Sequence, residues 1–346
     1  MVRGVVVPLV VPGPVVVPEA RRQQLSLVPC RYSSMSRPLR FIPDNSLVEI
    51  TTRTLQGRLL LRPSPELNDF ILGVIGKAQD TCKMTIHSFV VVSNHAHLLV
   101  SPSSAQQLAL FMQFVNANIA KGVARLHDWP DRVWSRRYRA IPVVDDEAAH
   151  ARIRYQLSHG AKEGLVATAG SWPGPNCIAA LTHGDRLQGT WHDRSAEYRA
   201  RAAGKETRPG DFTTSYDVKL TPLPCVLDKS VDQQQAHYRR VVREIDAAAE
   251  AVNREKGRTP MGVQGILDQN PHHRPDALDR SPAPLVHAQD DEKRDAYRHA
   301  YRVFVINFRA GVDSMKAKAK QIIDMFPDWA FPPALSFKAA APSAAA

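Results

Sequence analysis

The chain has 346 residues and a formal net charge of +11, from 45 Lys and Arg against 34 Asp and Glu. That length can bury a sizeable core, and the positive balance points to an anionic partner, nucleic acid first. Four cysteines (Cys30, Cys82, Cys177 and Cys225) stand far apart without a C-x-x-C pair. They argue against a zinc knuckle or a dense disulfide scaffold and fit a reducing cytoplasm.

Residues 1–34 read as a disordered leader, because Pro8, Pro12, Pro14 and Pro18 break an apolar stretch that is too short to span a bilayer. Met35 is a candidate start. No other segment approaches membrane-spanning length, so a soluble, cytoplasmic protein with no membrane partner is expected.

Leu47 to Thr54 alternates as a strand, with Glu49, Thr51 and Arg53 on its polar face. Pro65 to about Thr81 has helical spacing in Leu67, Phe70, Ile71, Val74 and Ile75. Thr85 to Val92 is a β-branched strand, Ser93-Asn94 a turn, and His95 to Ser101 the returning strand of a hairpin. Ala105 to His127 is a long amphipathic helix whose stripe (Leu108, Phe111, Met112, Val115, Ile119, Val123, Leu126) is core. Arg132 to Val144 is extended and basic. A helix is expected over Glu147 to His159, capped by Asp145 or Asp146 and stopped by Gly160.

The order strand, helix, two strands, helix, strand, helix predicts an α+β fold, a small antiparallel sheet with helices. Beyond Cys177 the pattern weakens. Residues 180–230 are expected to be irregular, Gln233 to Glu255 and Asp291 to Phe326 helical, and residues 268–290 a loop. The second of these helices carries a stripe of Tyr297, Tyr301, Phe304, Val305, Phe308 and Val312.

His95 and His97 are the most informative residues. One residue apart on a strand, they project to the same face at a spacing that suits one shared metal ion, while Ala96 and Leu98 face the core. Further ligands must come from another element. On the helix after the basic strand, Arg152, Tyr155 and His159 fall at i, i+3 and i+7 on one face, and Ala149, Ile153 and Leu157 occupy another. Such a tyrosine–histidine pair is by itself an ordinary surface feature.

The runs SNHAHLLV, Trp134 followed by Arg136-Arg137-Tyr138-Arg139, RYQLSHGAKEGLV from Arg154 to Val166, the opening SRPLRF and Ser171-Trp172-Pro173 occur in order between Met35 and Pro175. Together they resemble the REP-associated tyrosine transposases, which are single-tyrosine HUH transposases. The resemblance implies a ferredoxin-like HUH nuclease fold for residues 35–175, with Tyr155 as nucleophile, His95 and His97 as metal ligands and His159 in the place of a polar third ligand. It also implies Mg²⁺ or Mn²⁺, a single-stranded or hairpin DNA partner, a 5′-phosphotyrosine intermediate and a homodimer. Ser93 stands where the family has proline, Ala96 where a bulky residue is common, and His159-Gly160-Ala161 where asparagine-proline-valine is usual; none removes an essential group.

Arg53, Lys121, Arg136, Arg137, Arg139, Arg154 and Lys162 are candidate phosphate contacts, with Trp134 and Tyr138 available to stack bases. His87, His127, His150 and His183 have surface or core roles, and His272-His273 is solvated. Two other readings stay open: a three-histidine zinc hydrolase in which Tyr155 is a bystander, and a nucleic-acid binding module without catalysis. The expected organisation is a leader (1–34), a transposase domain (35–175), an irregular linker (176–230), a helical extension (231–338) and a disordered tail (339–346).

Overall fold

The computed structural model describes residues 39–276 and 283–323; all that follows concerns the unit that begins at Arg40. The leader, Cys30, Met35, the tail and the end of the last helix lie outside the described residues.

Strand β1 (Leu47–Arg53) leads to helix α1 (Pro65–Cys82), strands β2 (Thr85–Val92) and β3 (His95–Ser101), helix α2 (Ala105–Leu126) and strand β4 (Arg139–Val143). The sheet runs β2-β3-β1-β4, with every neighbouring pair antiparallel. This is the ferredoxin-like βαββαβ arrangement. Each crossover helix has a local reason to start: Ser64 accepts from the Leu67 N–H ahead of α1, with Pro65 at the first helical position, and Ser104 accepts from the Gln107 N–H ahead of α2.

Register decides which side chains meet. Glu49, Thr51 and Arg53 of β1 lie opposite Leu99, His97 and His95 of β3, and Thr51 also lies opposite Arg139 of β4. One face therefore collects the polar residues and both histidines. The other face, with Val48, Ile50, Leu98 and Val100, enters the main core together with the stripes of α1 and α2.

Helix α3 (Asp146–Leu157) covers the polar face, fastened by Ser88 Oγ donating to Gln156 Oε1 at 2.8 Å. Its cap is Asp145, which accepts from the Ala148 N–H at 2.6 Å. The helix is shorter than expected: it ends at Leu157, and His159 sits in the turn beyond, closed by Gly160 at φ +88°. The basic strand is shorter too. Thr51–Arg139 is the last β1–β4 pair, and upstream only Trp134 bridges back, to Thr54.

The region expected to be irregular is ordered. It contains α4 (Ile178–His183), β5 (Gln188–His192), α5 (Arg194–Ala202) and β6 (Thr213–Asp217). The β5–β6 hairpin lies on α1 through two facing glycines: a Cβ on Gly189 would come 2.3 Å from the Gly73 nitrogen. Cys177, Ile178, Leu181, Val218, Leu223 and Val226 enter the main core, joined by Tyr238, Val241, Ile245 and Ala249 of α6 (Val231–Glu255). After α7 (Gly262–Leu267), the start of α8 (Asp291–Ile323) buries Tyr297 and Tyr301 with Val286 against Phe41, whereas Phe308 of the same expected stripe is exposed. Among the described residues, no helix is long and apolar enough to cross a membrane.

Candidate metal centre and tyrosine

His95, His97 and His159 converge although they come from a strand and a turn. Their ring centroids are 4.7–5.0 Å apart, and one nitrogen from each lies within 4.8 Å of the others. Each Nδ1 faces an oxygen. His95 Nδ1 lies 2.6 Å from Asn94 Oδ1, and His97 Nδ1 lies 3.2 Å from Thr51 Oγ1 and 3.4 Å from Glu49 Oε1. His159 Nδ1 lies 3.1 Å from Glu163 Oε1.

Carboxylates only accept, so the Nδ1 positions of His97 and His159 carry the hydrogens, and the Asn94 oxygen sets the same tautomer at His95. Each Nε2 keeps its lone pair. His159 Nε2 is buried without a protein partner, an arrangement that costs free energy unless something fills it.

Electrostatics disfavour the charged forms of His95 and His159. Burial lowers the His95 pKa well below the ordinary value, and His97, His159, Arg53 and Lys162 lower it further. Burial likewise takes His159 down to about 4, against the opposing pull of Glu163. Burial would raise Glu163, but the bond from His159 and the neighbouring positive charges bring it to about 2. Three convergent imidazoles with oriented oxygen partners fit a divalent cation.

Tyr155 stands beside this cluster, 38% exposed, its ring centroid 5.7 Å from that of His97 and 4.9 Å from that of His159. Lys162 Nζ lies 3.5 Å and the Arg152 guanidinium 4.8 Å from the ring centroid. Burial raises the phenol pKa, reinforced by Glu163 and Glu49. The hydroxyl is therefore protonated at neutral pH, and cations flank its ring.

Of the candidate phosphate contacts, Arg53 and Arg139 lie on the histidine face of the sheet and Lys162 lies on the tyrosine. Arg136 and Arg137 are exposed before β4, and Lys121 is exposed on α2. Arg154 is instead ion-paired with Glu244 of α6. Of the two aromatic residues, Tyr138 is not free to stack. Tyr138 is buried under the Arg40 guanidinium, 3.7 Å from its ring centroid, and the half-buried Trp134 donates its indole N–H to Asn116 O.

His87 is buried with Nδ1 on Thr221 O and Pro222 O, a core role as expected. His272, expected to be solvated, is exposed yet lies against Trp129. Sequence reasoning missed Glu49, Asn94 and Glu163 as partners of the histidines. For Glu49 a signal existed: it alternates with Thr51 and Arg53 on the polar face of the first strand.

The family described as "Transposase IS200 like" matches residues 63–155, a span that holds His95 and His97 and ends on Tyr155. Residues 63–155 are therefore similar to an IS200-like transposase domain. Among solved structures, the chain is similar to one described as a REP-associated tyrosine transposase bound to a REP hairpin, at 15% identity and a TM-score of 0.37, covering 42% of this chain and 85% of that one. It is also similar to a candidate transposase from Deinococcus radiodurans R1, at 12% identity and a TM-score of 0.26, covering 35% and 95%. No curated protein matches the chain. Arg53, His159 and Lys162 fall outside the matched span.

Proposed function

We propose that the chain is a DNA strand transferase that cuts and rejoins single-stranded or hairpin DNA through Tyr155, with His95, His97 and His159 holding Mg²⁺ or Mn²⁺. The observation that carries this reading is the phenol of Tyr155 set against three convergent imidazoles, with Tyr155, His95 and His97 inside the span that matches a transposase family.

Attack of Tyr155 Oη on a phosphodiester phosphorus forms a Tyr–O–P bond and breaks the P–O3′ bond. The departing 3′ oxygen gains a proton as the phenol loses one, so the exchange is balanced and reversible. The cation, when bound, polarises the phosphate and offsets charge on its oxygens. Lys162 and Arg152 favour the phenolate form as the proton leaves, and Arg53 and Arg139 supply positive charge to the neighbouring phosphates.

The test is incubation of the full chain with a 3′-labelled hairpin oligonucleotide and Mn²⁺, followed by denaturing electrophoresis. A protein-linked label that disappears in Tyr155→Phe supports the proposal. Hydrolysis that survives in Tyr155→Phe supports the three-histidine hydrolase instead, and binding without cleavage supports the non-catalytic module.

A further inference from the structure

Glu49 is 4% exposed and lies between two histidines from opposite parts of the chain. Its Oε1 is 3.4 Å from His97 Nδ1, and its Oε2 is 2.8 Å from Nε2 of His287, which lies in the segment between α7 and α8, a close ion-pair contact without hydrogen-bond alignment. The same carboxylate has Arg152 at 3.7 Å and Gln156 Nε2 at 3.4 Å.

The backbone of His287 is clamped at the edge of the sheet. Its N–H donates to Pro142 O at 2.9 Å, its carbonyl accepts from the Val144 N–H at 3.1 Å, and it forms a parallel bridge with Val143 of β4. Two residues on, the Gln289 and Asp290 N–H groups donate to Asp145 Oδ2 at 2.7 and 3.2 Å. The ring is held by main-chain bonds on both sides, directly against the second oxygen of Glu49.

We infer that His287 is a positioning residue for the metal ligand His97, acting through Glu49. A buried carboxylate can rotate and shift between partners. Engaging Oε2 from the C-terminal part of the chain leaves Oε1 toward His97 Nδ1, which fixes the ring and its tautomer and presents Nε2 to the cation. The segment around residue 287 is then part of the site, although the transposase match stops at residue 155. The inference rests on the three-histidine reading of the centre.

The test is Mn²⁺ titration of the full chain by calorimetry, with no DNA present, for the wild type, His287→Ala and His287→Gln. Loss of a group that orients a metal ligand costs about 10- to 100-fold in metal affinity. His287→Ala is expected to show a loss of that size with a melting temperature close to wild type, and His287→Gln, whose amide N–H can reach the same oxygen, is expected to recover most of it. Should His287→Ala not fold, His287→Asn, which is polar but too short to reach, is read in its place. Wild-type affinity in the non-reaching variant overturns the positioning role while leaving the three-histidine site standing. If the wild type takes up no Mn²⁺, the three-histidine reading fails and the inference with it.

Discussion

Lys162 holds its ammonium nitrogen 3.5 Å from the ring centroid of Tyr155, and it does so from the turn after α3, not from the helix that carries the tyrosine. Burial lowers the Lys162 pKa, with Glu163 opposing that shift. A desolvated cation over an aromatic face contributes up to about 2 kcal/mol, and the same charge offsets the negative oxygen that forms as the phenol reacts. Lys162→Met is expected to slow covalent adduct formation by about tenfold, which corresponds to about 1.4 kcal/mol. Lys162→Arg should retain most of the rate. Single-turnover kinetics with a labelled hairpin read both variants.

Gly160 sets the turn that brings His159 to the cluster. Its φ of +88° is unfavourable for a residue with a side chain, and an added Cβ would sit 3.0 Å from Trp172 Cε3. Gly160→Ala should cost about 1–2 kcal/mol of stability and weaken Mn²⁺ binding, because the ligand next to it shifts. Thermal melts and metal titration give the two readings. A variant with unchanged metal affinity would show that the turn does not position His159.

Asp145 joins the cap of α3 to the segment that carries His287. Burial raises its pKa, but the N–H groups of Ala148, Asp290 and Gln289 outweigh that and hold it below the ordinary value. A carboxylate with a depressed folded pKa stabilises the fold above its unfolded pKa of about 3.9, and that stabilisation is lost as pH falls through the lower folded value. Asp145→Ala should therefore melt lower than wild type at pH 7, by about 1–2 kcal/mol for the cap alone. The gap should narrow as pH drops below about 4. Melting curves from pH 7 to pH 3 check the sign.

The arginines divide by what they touch. Arg53 and Arg139 lie on the histidine face, whereas Arg154 is ion-paired with Glu244. Arg53→Ala and Arg139→Ala should each weaken DNA binding and lower the slope of log affinity against log salt by about 1. Arg154→Ala should leave that slope unchanged. Fluorescence anisotropy over a salt series separates the two groups.

Period-two spacing alone placed His95 and His97 on one face, and capping serines and apolar stripes marked α1 and α2. Interactions between distant segments were not legible in the sequence. Tyr138 looked like a stacking surface because nothing nearby in the chain announces that Arg40 covers it. Arg154 looked free because its partner sits on α6. Two short Gly- and Thr-rich strands carry too little hydrophobic alternation to declare a hairpin, and their place on α1 depends on Gly73 and Gly189 meeting. His159 reached the cluster by a different route from the expected one, through a left-handed glycine turn beyond the end of the helix.

The phenol of Tyr155 is the group expected to take up DNA. Peptide mapping by mass spectrometry of wild-type protein, quenched during reaction with a hairpin oligonucleotide and Mn²⁺, reads this directly. A nucleotide mass is expected on the peptide that contains Tyr155 and on no other. Cleaved DNA with that peptide unmodified, or with the mass on a different residue, would contradict it.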